Sequence, residues 1–104
     1  MWILKSIDPD PDPVTFRVAP GSIKTLGRAP RADFVVDAAL VSRLHCRLEV
    51  TEHRIDVVDL DSTNGTFVNG RRVERGRIES GDLLQVGRLS LRVQKVNGEA
   101  ETRP

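Results

Sequence analysis

A single cysteine, Cys46, stands in 104 residues, so no disulfide can form within the chain. With only His45 and His53 beside it as strong nitrogen or sulfur ligands, a closed four-ligand zinc site is excluded as well. Charge of one sign is also lacking. Sixteen Lys and Arg against fifteen Asp and Glu leave +1 and a pI near 8.0, too balanced for a polybasic nucleic-acid arm or a membrane-adhering patch. No apolar run nears the ~18 residues of a spanning helix. At the N-terminus Lys5 follows the short run Trp2-Ile3-Leu4, and Asp8, Asp10 and Asp12 come next, the wrong order for a signal peptide. These absences predict an intracellular protein, cytoplasmic or nuclear, with no metal, cofactor, nucleic-acid or membrane partner. One domain is expected at this length, burying roughly 65% of the surface its unfolded chain exposes.

Long helical runs are missing too. In their place are short apolar alternations punctuated by Gly, Pro, Asn and Asp, the pattern of an all-β protein. Candidate strands are Met1 to Ile7, Thr15 to Val18, Ile23 to Gly27, Asp33 to Val36, Cys46 to Val50, Arg54 to Leu60, Thr66 to Val68, Arg71 to Val73, Arg77 to Ile78, Leu83 to Val86 and Leu89 to Val96. So many short strands predict two packed sheets. The prolines of Asp8-Pro-Asp-Pro-Asp-Pro13 cannot donate to a ladder, which makes this segment a stiff acidic surface loop. Asn69-Gly70 suits a two-residue type I′ turn between Thr66–Val68 and Arg71–Val73. The domain is expected to end near residue 96. Residues 97–104 are polar and read as a tail or the start of a linker.

Enzymatic readings find little support. Ser42 and His45 could be imagined as nucleophile and base, but their spacing does not bring them together by helical geometry, and no orienting carboxylate is identifiable. The glycines match neither the dinucleotide fingerprint nor the phosphate-binding loop with its lysine. His45 beside Cys46 invites a metal or redox reading, yet adjacent strand residues point to opposite faces, and a cysteine in that pattern is usually core. A binding reading does better. Arg28 follows Gly27 at a strand end, Ser42-Arg43 sits on the next long loop, and Ser62-Thr63-Asn64-Gly65 occupies another turn. If these loops converge, they gather guanidinium, hydroxyl and amide donors suited to a phosphate dianion. Taken singly, each residue has an ordinary reading as solvated charge or turn-former.

As an ordered set they resemble the forkhead-associated (FHA) family. The resemblance runs from Met1 to about Val96. It rests on Gly27-Arg28; Val41-Ser-Arg-Leu-His45 leading into Cys46–Val50; Val58-Asp-Leu-Asp-Ser-Thr-Asn-Gly-Thr-Phe-Val-Asn-Gly70; and Ile78-Glu-Ser-Gly-Asp-Leu-Leu-Gln-Val-Gly87. It implies an eleven-stranded β-sandwich of two twisted, mostly antiparallel sheets with binding loops at one end. It also implies a non-catalytic module that docks phosphothreonine peptides and recruits phosphorylated partners, such as a serine/threonine kinase or its substrate. The alternative is a phosphate-independent interaction scaffold of the same fold. Carried over by position, Arg28 and Ser42 would bind the phosphate, Arg43 would add a further contact, Thr63 would touch the phosphothreonine, and Asn64 would bond the peptide main chain. Gly27, His45, Gly65 and Asn69 would support the site architecturally. In some relatives a basic residue two positions before the loop serine reads an acidic third residue after the phosphothreonine. That position here is Leu40, which favours an apolar third residue, with Arg31 as a second selector. The domain is expected to be monomeric. Thr102, if phosphorylated, could dock into a neighbouring copy.

Overall fold

A computed structural model describes residues 1–7 and 13–96. The acidic proline segment at 8–12, the polar tail at 97–104 and Thr102 lie outside the described residues. Eleven strands form: β1 (Trp2–Ser6), β2 (Thr15–Val18), β3 (Ile23–Gly27), β4 (Phe34–Val35), β5 (Cys46–Val50), β6 (Ile55–Asp59), β7 (Thr66–Val68), β8 (Arg71–Val73), β9 (Arg75–Ile78), β10 (Leu83–Val86) and β11 (Leu89–Lys95). They build a six-stranded sheet, β2-β1-β11-β10-β7-β8, and a five-stranded sheet, β4-β3-β5-β6-β9. Every described ladder is antiparallel except the parallel pair β3–β4.

Alternation dictates which residues meet between the sheets. Cys46, Leu48 and Val50 of β5 point inward while Arg47 and Glu49 are less buried, and Leu84 with Val86 of β10 faces them alongside Leu91 and Val93 of β11. Trp2 is wholly buried, and its indole N–H donates to the Thr51 carbonyl at 2.8 Å, tying β1 to the β5–β6 turn of the other sheet. Each fully buried large side chain of this set contributes about 1.5–3 kcal/mol of transfer free energy. Phe16 of β2 and Phe34 of β4 stack with centroids 4.6 Å apart, closing the seam between those two sheet edges.

The predicted type I′ turn is present, with positive φ at both Asn69 (51°) and Gly70 (82°). Five strands differ in extent from expectation: β1, β6 and β11 lose only a residue at one or both ends, and β4 and β9 differ for an identifiable reason. The strand predicted from Asp33 to Val36 shrinks to Phe34–Val35, because Asp33 turns its carboxylate back to the Thr25 amide and hydroxyl at 2.8 and 3.1 Å. The strand predicted at Arg77–Ile78 begins at Arg75, where Arg75 and Gly76 pair with Val58 and Val57 of β6.

Candidate phosphopeptide-binding loops

Three loops leave the sheets at the same end, and backbone hydrogen bonds bind them into one unit. The Arg28 and Ala29 amides donate to the Ser42 and Arg43 carbonyls at 3.0 Å each, joining the β3–β4 loop to the β4–β5 loop. Gly27 makes that approach possible, since a Cβ there would lie 2.1 Å from the Arg43 carbonyl oxygen. The third loop, between β6 and β7, joins through side chains. The Thr63 amide donates to Ser42 Oγ at 3.0 Å, and Asn64 Nδ2 donates to the Leu40 carbonyl at 3.1 Å.

His45 sits beneath this junction, fully buried. Its Nδ1 accepts the Ser42 amide at 3.0 Å, so Nε2 carries the proton and donates to the Gly65 carbonyl at 2.8 Å. The histidine therefore links the second and third loops. Ser42 and His45 do meet, not by helical geometry but in the loop, and through the serine amide rather than its hydroxyl. Both His45 ring nitrogens are engaged by backbone groups, so this histidine is not placed to act as a base toward the Ser42 hydroxyl. Cys46 enters the hydrophobic core next to it. Burial, reinforced by the nearby Asp59 charge, pushes its thiol up to about 12, so it is not a reactive thiolate.

A second layer of support centres on Asp59, a residue that sequence reasoning did not single out. The Asp59 carboxylate accepts the Ser62 hydroxyl at 2.5 Å, the Ser62 amide at 3.1 Å and the Thr66 hydroxyl at 2.7 Å. Partial burial alone would raise its pKa, but these bonds to the charged form outweigh it and hold the carboxyl below its ordinary value of 3.8. Ser62 Oγ in turn accepts the Gly65 amide at 3.0 Å. Gly65 has a φ of 91°, and a Cβ there would meet Arg72 Nε at 2.8 Å. The chain signal for this network is the spacing Asp59-x-x-Ser62, a side chain capping its own downstream turn. Asn69 stands apart, at the other end of β7. Its Oδ1 accepts the Leu83 amide at 2.9 Å, fixing the start of β10.

Exposed on top of this scaffold are Arg28, Arg43, Thr63 and Asn64, with Ser42 half-buried among them. Arg28 Nε donates to the Val41 carbonyl at 3.1 Å, while its two terminal nitrogens have no partner among the described residues. Arg28, Ser42 and Thr63 form a ridge shared by two clefts. One, of about 460 Å³, runs along Asp37, Ala38, Ala39, Leu40, Val41 and Asn64. The other, of about 410 Å³, is walled by Arg31, Arg43, Leu44 and Asp61. Leu40 is 46% exposed and held at a positive φ of 71°, a conformation that costs a non-glycine residue on the order of 1 kcal/mol.

Fold and loops together define a β-sandwich that carries a cluster of hydrogen-bond donors on the loops at one end. A model of the FHA domain matches residues 24–87, and the chain belongs to that family. It is 37% identical over 81 residues to the ABC transporter ATP-binding/permease protein Rv1747 of Mycobacterium tuberculosis, covering 78% of this chain and 9% of that protein. It is 36% identical over 70 residues to the glycogen accumulation regulator GarA of the same species, covering 67% of this chain and 43% of that one. Among solved structures, Mycobacterium tuberculosis EmbR in complex with a low-affinity phosphopeptide superposes with a TM-score of 0.74 at 26% identity, over 89% of this chain and 24% of that chain. The chain thus spans less than half the length of these relatives. No helix among the described residues is long and apolar enough to cross a membrane.

Proposed function

We propose that this domain binds phosphothreonine-containing segments of protein partners, such as a serine/threonine kinase or its substrate, inside the cell and as a monomer, without catalysing a reaction. The observation that carries the reading is the ridge of Arg28, Ser42 and Thr63 between two clefts, with Arg28 already tethered and its terminal nitrogens free. A phosphothreonine brings roughly −1.5 to −2 charges, which a guanidinium fork meets with two charge-assisted bonds. Ser42 Oγ accepts the Thr63 amide, and its own proton, which has no acceptor among the described residues, is available to a phosphate oxygen. Arg43 approaches from the second cleft. Asn64 uses Nδ2 on Leu40 and keeps Oδ1 for a peptide N–H.

The two clefts differ in chemistry, and the flanks of the peptide should differ with them. Leu40, Ala38 and Ala39 offer a small apolar wall for the third residue after the phosphothreonine, and Asp37 on the same wall opposes an acidic one. Arg31 lies in the other cleft and suits an acidic neighbour there. The test is titration with three peptides that differ only in carrying phosphothreonine, phosphoserine or threonine at one position. Binding confined to phosphothreonine, and lost in Arg28→Ala, supports the reading. Equal binding of all three would move the assignment to a phosphate-independent scaffold.

A further inference from the structure

The two lateral seams of the sandwich are finished differently. One is closed by the Phe16–Phe34 stack. On the other the chain steps from one sheet to the other at Glu74, between the edge strands β8 and β9, and a cleft of about 350 Å³ opens there. It is lined by Val68, Asn69, Arg71, Val73, Gly76 and Arg77, and shares no residue with the two clefts at the loop end. Its floor is apolar: Val68 belongs to the core cluster and Val73 packs against it. Gly76 keeps that floor bare, since a Cβ there would fall 3.1 to 3.3 Å from the Val73 and Val68 methyls.

The polar part of the lining holds only unspent donors. Asn69 commits its oxygen to the Leu83 amide, which leaves its NH2 group. Arg71 and Arg77 are exposed and have no carboxylate or hydrogen-bond partner among the described residues, whereas Arg75 between them is held by Glu49 at 2.8 Å. The segment from Arg71 to Arg77 contains four arginines and one glutamate, so with Arg75 taken by Glu49 it still carries an excess of positive charge.

We infer that this cleft is a second docking site, one that takes an unphosphorylated acidic segment of a protein partner. An apolar side chain of the segment rests on Val68, Val73 and Gly76, and carboxylates on either side of it pair with the guanidinium groups of Arg71 and Arg77. Exposed ion pairs are weak and salt-screened, so the apolar floor is needed for affinity and the arginines for selection.

Nitrogen-15 NMR titration of the full chain with the peptide acetyl-Glu-Asp-Leu-Glu-Asp-amide tests this. The account expects shifts at the Asn69, Val73 and Gly76 amides, a loss of affinity of about tenfold in Arg71→Glu/Arg77→Glu, a smaller loss in the glutamine pair, and no change in Arg28→Ala. It is overturned if those amides do not move, if the double variant binds equally well, or if the shifts fall at Arg28 and Ser42 instead. Equally tight binding of an all-aspartate peptide or of a single-stranded oligonucleotide would also overturn it, by showing diffuse attraction to cations.

Discussion

Arg28 and Arg77 are both exposed arginines at the margin of a cleft, yet the molecule treats them differently. Arg28 is clamped by its Nε to the Val41 carbonyl, and its own amide is fixed to Ser42. Under it lie His45 and the Asp59 carboxylate, each bonded to more than one loop group. Arg77 stands on an edge strand with no side-chain partner among the described residues. The difference is one of preorganisation. At the loop end the ordering of side chains is completed on folding and is not charged against ligand binding, which favours tight and geometrically selective capture. At the β8–β9 seam the arginines must be ordered by the ligand itself, which favours weak and charge-driven contact.

The largest effect expected from breaking this contrast is at Arg28. Two charge-assisted bonds at about 1.5–3 kcal/mol each correspond to at least a hundredfold loss of phosphothreonine-peptide affinity in Arg28→Ala. Urea unfolding of the same variant should change by no more than about 0.5 kcal/mol, as for other surface substitutions. A comparable loss of phosphopeptide binding in Arg77→Ala would erase the distinction. Next comes His45→Ala, which orphans the Ser42 amide and the Gly65 carbonyl; unfolding should cost about 2–3 kcal/mol less than for the parent. Phosphopeptide binding should weaken with it, and amide exchange at Thr63 and Gly65 should speed up.

A smaller effect separates the Asp59 network from the phosphate contacts. Because its folded pKa is depressed, Asp59 contributes stability above its ordinary value of 3.8 and loses it as pH falls through the lower folded value. Asp59→Asn should therefore be less stable by about 1–2 kcal/mol at neutral pH and show a shallower acid limb below that value in chemical denaturation. The mildest effect is on the ligand side. Phosphothreonine has its second pKa near 6, so calorimetric affinity should decline several-fold between about pH 7 and 5 while Asp59 remains ionised.

Much of this was legible in the chain. Strict alternation in Cys46–Val50 and near-alternation in Ile55–Asp59, with Asn69-Gly70 as punctuation, mark the strands because burial on one face and a tight hairpin are local demands. Arg75 and Gly76 were not legible as strand. Neither has a strand-forming side chain, and only the ladder to Val57 and Val58 makes them one. The set Gly27-Arg28, Ser42, His45, Thr63 and Asn64 could be read in order, but the backbone conformation that shapes the first cleft could not. Leu40 takes a left-handed conformation that its residue type disfavours, held by the Asn64 bond from a loop 24 positions away. Asp37 enters the first cleft only because of the path that loop takes. Such features depend on tertiary contacts and leave no local signature.

The central claim is that a prebuilt donor cluster around Arg28 recognises phosphorylated threonine. Isothermal titration of the parent domain with one phosphothreonine peptide, before and after the peptide is treated with phosphatase, tests it most directly. The account predicts saturable one-to-one binding before treatment and none after. Binding that survives removal of the phosphate would contradict it.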